Sequence, residues 1–434
     1  MHYRSVIAII TGCLFTAHVF AADLMQTYME ALANDPQYAS ARASLMAGQE
    51  KSVQGLSRLL PNLNASGSYG RNYLEDLDYT ENKYTIALTQ PIFNWANFQN
   101  YANSKLEVSI SEAQFAQAQQ DLMMRVAQAY FDVLTAQDVL TFAQAQKAAV
   151  AQQLELAKRS FEVGTVTITD THEAEARYNL AESDEIAALN DLEVRRTALE
   201  QIIGHPPGIL DPLKKGIQLS APEPNTMTSW VSSAENQNYQ VVQYRLSREM
   251  ARRNIEINKA GHYPTVDLVA SYNHTDHDQY LIDTHNGVQS FNTSKMVGVQ
   301  WNIPIFSGFE VTSRVRESVA LEDKARSDLE ASKRSAAQQA RQSYFSVNSG
   351  LSQVKALEAA EVASLSSLEA NKLGYEVGVR INIDVLNAEQ QVFMTRRDLT
   401  QARNNTIING LRLKQAAGTL NEDDLKRVNM LLQK

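Results

Sequence analysis

The chain has 434 residues, 44% hydrophobic and 21% charged, with 40 basic against 49 acidic side chains and a formal net charge of −9, a balance that argues against nucleic-acid binding. Mean hydropathy is −0.33, and after residue 22 no apolar run is long enough for a spanning helix, which excludes a multi-span helical membrane protein. Only 18 Gly and 10 Pro occur, too few for a series of Ig-type sandwiches or for a disordered chain.

The first predicted element is a targeting segment over residues 1–21. Arg4 gives it a positive start, Val6 to Phe20 is mostly apolar, and Val19-Phe20-Ala21 fits a small-residue cleavage site, so the mature chain is expected to begin at Ala22. The one cysteine, Cys13, lies inside this segment. Disulfides, thiolate metal sites and cysteine nucleophiles are thereby excluded from the mature chain. Ile10-Thr11-Gly12-Cys13 resembles a lipoprotein box, but the apolar stretch before it is short, and a plain signal peptide is the preferred reading.

The rest is one unit written twice, over 22–215 and 216–434. Pro91-Ile92-Phe93 recurs as Pro304-Ile305-Phe306, and Phe161-Glu162-Val163-Gly164 as Tyr375-Glu376-Val377-Gly378. Asp170 returns as Asp384 and Gly204 as Gly418, at the same spacing. Such self-similarity marks a duplicated architectural unit. Each unit opens with a helical stretch, Leu24 to Leu59 and Trp230 to Lys259. The period then changes to two: Tyr84, Ile86, Leu88 and Ile92 share one face, and Val297, Val299, Trp301 and Ile303 share another. This predicts two hairpins, over 63–93 and 265–306, built of strands of about ten residues, with polar tips at 74–82 and 274–293. The long second tip carries His274, His277, His285, Asp276, Asp278 and Asp283; His-x-x-His raises a metal hypothesis, but a solvated loop is the preferred reading.

After each hairpin the chain becomes helical for a long way. Asn94 to Val163 contains neither Gly nor Pro and predicts a rod of about 105 Å. Leu122, Val126, Ala129, Val133, Ala136, Leu140 and Ala143 form a heptad seam that Val150, Leu154, Ala157 and Phe161 continue. Val163-Gly164-Thr165 turns the chain into a returning helix, and Val377-Gly378-Val379 does so in the second unit. Pro61, Pro91, Pro264 and Pro304 are expected at the helix–strand junctions, and a proline-rich connector links the units. Tyr69, Tyr73, Tyr84, Trp95, Trp301 and Phe306 are candidates for interfacial girdles, while Trp230 is expected to pack in the connector region. The fold class is therefore mainly α with a β-barrel: long antiparallel coiled-coil helices plus four transmembrane strands. Four strands cannot close alone, and eight is the usual minimum. A trimer would make a twelve-strand barrel and a twelve-helix hollow tube. No phosphate-binding loop, Gly-x-Ser-x-Gly or His-Glu-x-x-His occurs, so neither an enzyme nor a cofactor is expected.

The ordered set Leu60-Pro61-Asn62-Leu63, Gln90-Pro91-Ile92-Phe93, Ala129-Tyr130-Phe131-Asp132-Val133-Leu134, Ile168-Thr169-Asp170, Ile383-Asp384-Val385-Leu386 and Ala417-Gly418-Thr419-Leu420-Asn421, with the two turns, resembles TolC-type outer-membrane efflux proteins over residues 22–434. The branch proper is the better match, ahead of the lipidated one. The resemblance implies a homotrimeric exit duct through the outer membrane and periplasm of a Gram-negative bacterium. It further implies type I protein secretion or drug efflux, with a periplasmic adaptor and an inner-membrane ABC or RND pump as partners. Thr169, Asp170, Tyr375 and Arg380 match gate links between neighbouring coils. Asp384 matches a carboxylate ring at the entrance, a candidate cation site, and Asn387 stands where the family has a second acid. Val163, Gly164, Thr165, Val377, Gly378 and Val379 match the turns that meet the adaptor. Each has a plainer reading: Asp170 and Asp384 as first-turn acids against the helix dipole, the glycines as helix terminators, Tyr375 as packing. The alternative architecture is a periplasmic coiled-coil adaptor or scaffold without a pore.

Overall fold

The computed structural model describes residues 22–74, 77–214, 216–283 and 287–433, with backbone alone at 74, 77, 278–283 and 287–291. The targeting segment with Cys13 lies outside the described residues, as do His285 and the side chains of Asp278 and Asp283.

Two helices, α1 (Leu24–Asn34) and α2 (Pro36–Ser57), lead into β1 (Asn62–Leu74) and β2 (Leu77–Phe93). Then come α3 (Trp95–Glu162) and α4 (Ile168–Ile203). The second unit repeats the order: α5 (Met227–Gln237), α6 (Tyr239–Lys259), β3 (Thr265–Asp283), β4 (Gly287–Asn302), α7 (Glu310–Glu376) and α8 (Asn382–Ala416), closed by α9 (Glu422–Asn429). Each opening stretch, expected as one helix, is two. Asp35 caps α2 by accepting from Tyr38 N–H at 2.6 Å, and Pro36 occupies its first position, where a missing N–H costs nothing. Asn238 breaks the second stretch at the matching place, accepting from the Gln240 and Val241 N–H groups.

The strands run 13, 17, 19 and 16 residues, longer than the ten expected. The polar tips continue the strand ladder, because backbone pairing does not depend on side-chain polarity. Pro91 also departs from expectation. It lies inside β2, paired with Asp267 of β3 beside a bulge and just past the last β1 partner, Thr89, so no β1 residue is left facing its missing N–H. β4 stops at Asn302, short of the expected 306.

Sheet order is β1-β2-β3-β4, antiparallel throughout. The register sets Leu63 opposite Leu88, Leu88 opposite Ala270, and Ala270 opposite Val297. Ala65, Ile86, Tyr272 and Lys295 form the next rung, and Val266 faces Trp301. Most of the large apolar residues of all four strands therefore share one face, with Asn64, Ser66, Thr85, Ser271 and Gln300 on the other, beside Val269 and Met296. Val297 is 79% exposed and Trp301 68%, so the apolar face lies uncovered in the single chain. β1 and β4 are both open edges.

Helix α3, 68 residues long, extends about 102 Å. Of the four long antiparallel rods, α3 and α7 are the longest, and the returning α4 and α8 are about half their length, close to the stretches expected. Each of α3 and α7 is flanked by two shorter helices: α2 packs on α3 near the sheet and α4 beyond, and α6 and α8 do the same for α7. Each unit runs along a short helix to the sheet, down the long helix and part of the way back, so the place beside the long helix is shared by two short ones. The seam of α3 is buried from Leu122 to Ala157, with Leu140 partly so, and only Phe161 is exposed. At mid-height Leu122, Val126 and Val133 meet Leu24 and Tyr28 of α1, Leu199 of α4, Leu411 of α8 and Leu425 of α9. The buried Tyr130 hydroxyl donates between the Ala22 and Asp211 carbonyls, at 3.1 and 2.9 Å. Trp230 packs with Val347, Leu413 and Ala417, and its indole N–H donates to Pro224 O at 2.8 Å.

Gly204 and Gly418, the mated helix ends, have φ of 83° and 74°. A β-carbon at 204 would meet only the Asn34 side chain, at 3.1 Å, whereas one at 418 would overlap the Gln237 backbone. Gly418→Ala should therefore lower the thermal midpoint clearly more than Gly204→Ala, which carries only the positive-φ strain of roughly 1 kcal/mol. Melting by circular dichroism checks this; equal losses would show that the Gln237 contact is soft.

Candidate functional site at the far end of the helical hairpins

The chemistry-bearing residues gather where α3 turns into α4 and α7 into α8, at the opposite end from the sheet. Both turns close the same way. Gly164 N–H donates to Phe161 O and Thr165 N–H to Ser160 O, each at 2.9 Å; Gly378 N–H donates to Tyr375 O at 3.1 Å and Val379 N–H to Gly374 O at 2.9 Å. The glycines hold φ of 75° and 76°, the left-handed termination that glycine permits. Val163, Val377 and Val379 stand exposed at the tips, so the terminator reading of the glycines is realised while the apolar tips remain uncovered.

The two acids at helix position N3 behave differently. Thr167 caps α4, and the Asp170 carboxylate accepts from both Thr167 N–H (2.9 Å) and Thr167 Oγ1 (2.8 Å). The position matching Thr167 is Ile381, which offers no side-chain cap. Asp384 instead faces Arg380, at 3.7 Å. Thr169 is exposed in the first turn of α4, and Tyr375 is half-buried in the last turn of α7. Within one chain the four gate candidates do not converge. Arg380 is engaged with Asp384 and Asp170 with its own cap, so a link between them needs a neighbouring chain or a rearranged pair. Among the described residues no group of three or more His, Cys, Asp or Glu side chains is placed to hold a metal. A cation held by Asp384 would have to draw on several protomers. His274 and His277 project to opposite faces of β3: His274 lies 4.9 Å from the Tyr84 ring and His277 5.3 Å from Tyr79.

Three features escaped the sequence reading. Gly374 is buried in α7, and a β-carbon there would sit 2.7 Å from Arg380 Cγ. The absent side chain lets the Arg380 stem lie across the helix. Lys372 reaches the buried Glu389 at 2.9 Å, joining α7 to α8. Arg177 of α4 donates to Gln390 Oε1 at 2.9 Å and Asn387 Oδ1 at 3.0 Å on α8. Gly374 could have been noticed as a glycine inside a helical pattern. Arg177 gave no sequence signal, since its partners lie in the other unit.

A half-apolar sheet with open edges, carried at one end of long helices, has the plan of a β-barrel outer-membrane protein with a helical extension; among the described residues no helix is long and apolar enough to cross a membrane. The outer membrane efflux protein model matches residues 27–205 and 230–419, one block in each unit. The chain belongs to that family. It is 32% identical over 420 residues to outer membrane protein TolC of Vibrio cholerae, covering 96% of this chain and 95% of that one. It is also 32% identical over 429 residues to the alkaline protease secretion protein AprF of Pseudomonas aeruginosa, covering 96% and 88%. Among solved structures, the outer membrane protein VceC of Vibrio cholerae has a TM-score of 0.78 at 18% identity, covering 91% of this chain and 96% of that one, a likeness of fold. The protein is an outer-membrane protein of the Gram-negative type.

An interior helical glycine changed to alanine ordinarily gains about 1 kcal/mol. Gly374→Ala should gain nothing, because the new methyl displaces Arg380, and should recover the gain in an Arg380→Ala background. Thermal midpoints of the four proteins in that cycle check it; additive effects would show that Arg380 yields freely.

Proposed function

We propose that three copies of this chain close a twelve-strand barrel in the outer membrane and continue it as a helical tube, forming an exit duct. The observation that carries this is the sheet: four strands, an uncovered apolar face, and open edges at β1 and β4. No unpaired edge can face lipid. β1 and β4 run in opposite directions, so β4 of one protomer against β1 of the next extends the antiparallel pattern around the ring. Two copies would reach only the usual minimum of eight strands. Three are favoured by the helices: each chain presents four at every level, α2, α3, α6 and α7 near the sheet and α3, α4, α7 and α8 beyond. Twelve helices enclose a lumen instead of filling it. An adaptor or scaffold without a pore would leave the apolar sheet face unexplained.

The cargo reading is protein secretion, drug efflux or both. Support comes from relatives whose names record protease secretion, in Pseudomonas aeruginosa and Dickeya chrysanthemi. The duct would work with a periplasmic adaptor and an inner-membrane ABC or RND pump. In this reading the exposed turns at Val163, Gly164 and Thr165 and at Val377, Gly378 and Val379 meet the adaptor, six turns per trimer. Thr169, Asp170, Tyr375 and Arg380 hold the entrance shut across neighbouring coils. Asp384 and Asn387 line its narrowest part, with three Asp384 carboxylates offering a cation site that each Arg380 partly offsets.

Native mass measurement in mild detergent should give a trimer whose mobility shifts on heating; a monodisperse monomer or dimer would overturn the duct. Exposed ion pairs are worth about 0–1 kcal/mol each, so loosening the gate takes more than one change. Tyr375→Phe with Arg380→Glu should raise single-channel conductance in planar bilayers. An inserted double variant that conducts like the wild type would remove these residues from the gate.

A further inference from the structure

We propose that Arg177 is a gate-positioning residue, a clamp that ties α4 to α8 inside each protomer and holds the second helical hairpin in its closed position. This rests on the duct reading. The guanidinium lies on the tenth residue of α4, about 14 Å along the helix from its start, well inside the turn. Its two terminal nitrogens reach two oxygens on successive turns of α8, Asn387 Oδ1 and Gln390 Oε1. Among the described residues these are the only side-chain hydrogen bonds between α4 and α8. Beside them Ala174 of α4 and Leu386 of α8 close against Val150, Leu154 and Ala157 of α3. The clamp thus borders the small apolar patch where the two returning helices meet. Further along, α4 rests on α3, and α8 on α3 and α7.

The residue types suit the task. A planar fork satisfies two fixed acceptors at once, which a lysine ammonium does with less geometric definition. The acceptors are neutral amides. The clamp is therefore weaker than a guanidinium–carboxylate pair, as suits a joint that must part when the entrance opens. Asn387 lines the proposed constriction, so the same contact brings a positive charge to the mouth of the pore. Lys372–Glu389 ties α8 to its own partner α7 and leaves the α4–α8 joint to Arg177.

Single-channel recording of the full trimer in planar bilayers tests it, with wild type, Arg177→Lys, Arg177→Gln, Asn387→Asp and the Arg177→Gln/Asn387→Asp double variant. Arg177 is half-buried and its two bonds lie at the surface of the chain, and heat-modifiable mobility verifies assembly of each variant. Losing one such bond should favour opening about fivefold for each protomer that opens in Arg177→Gln. Arg177→Lys, which keeps the charge but not the fork, should open nearly as far. Asn387→Asp should tighten the closed state when Arg177 is present and fail to do so when residue 177 is glutamine. That coupling is a readout that a merely structural role would not move. Wild-type conductance in both Arg177 variants, or an Asn387→Asp effect independent of residue 177, would overturn the clamp. A wild-type protein that forms no pores would overturn the duct reading itself, which separates the two failures.

Discussion

A backbone N–H or C=O without a partner costs several kcal/mol in hydrocarbon, and β1 and β4 each present a row of them. Most of the architecture follows from that cost. In the proposed trimer the sheet is completed by other copies of itself, and its register already places most of the large apolar side chains of four strands on one face. The prolines fit the same accounting. Pro61 and Pro264 lie just before β1 and β3, and Pro91 sits beyond the last β1 partner at a bulge in the β2–β3 pairing, positions at which a sheet tolerates proline.

The duplication supplies the geometry that the sheet needs beneath it. Two long helices, α3 and α7, run the full height, and the shorter α2, α4, α6 and α8 fill the places beside them. The helical layer therefore offers four helices per chain at every level. The join between short helices is covered at mid-height by α1 and α9, where Leu24, Tyr28 and Leu425 are fully buried. The two units keep their contacts while exchanging their charges. Lys147 pairs with Glu182 at 2.9 Å in the first, and at the mated positions Glu361 pairs with Arg396 at 3.0 Å. The bridge between a long helix and its returning partner is retained with reversed polarity, so a link between units cannot simply substitute one for the other.

At the far end one substitution separates two otherwise equivalent acids. Thr167 draws Asp170 into a capping box, and Ile381 leaves Asp384 to Arg380. The first helical hairpin therefore spends its acid on its own helix start. The second pairs its acid with Arg380, four residues earlier. Gly374 gives Arg380 its path, and Arg177 joins the second hairpin to the first. The far end is asymmetric in chemistry although its backbone is duplicated.

The sequence by itself determined the duplicated unit, the order of helices and strands, the two glycine turns and the buried heptad seam, since these depend on residue periodicity and on φ preferences that act within a few positions. It overstated junctions and tips, because Pro91 reads as a breaker until the length of β1 is known, and a polar tip reads as loop until its ladder is seen to continue. It could weigh Asp170 and Asp384 only as equals, and it gave no sign of Arg177. Only the tertiary structure decided those. The split of each flanking helix beside an unbroken one, the partner of Asp384 and the reach of Arg177 to Asn387 depend on which helix faces turn toward each other, and segments some 200 residues apart in the chain leave no periodic trace of meeting in space.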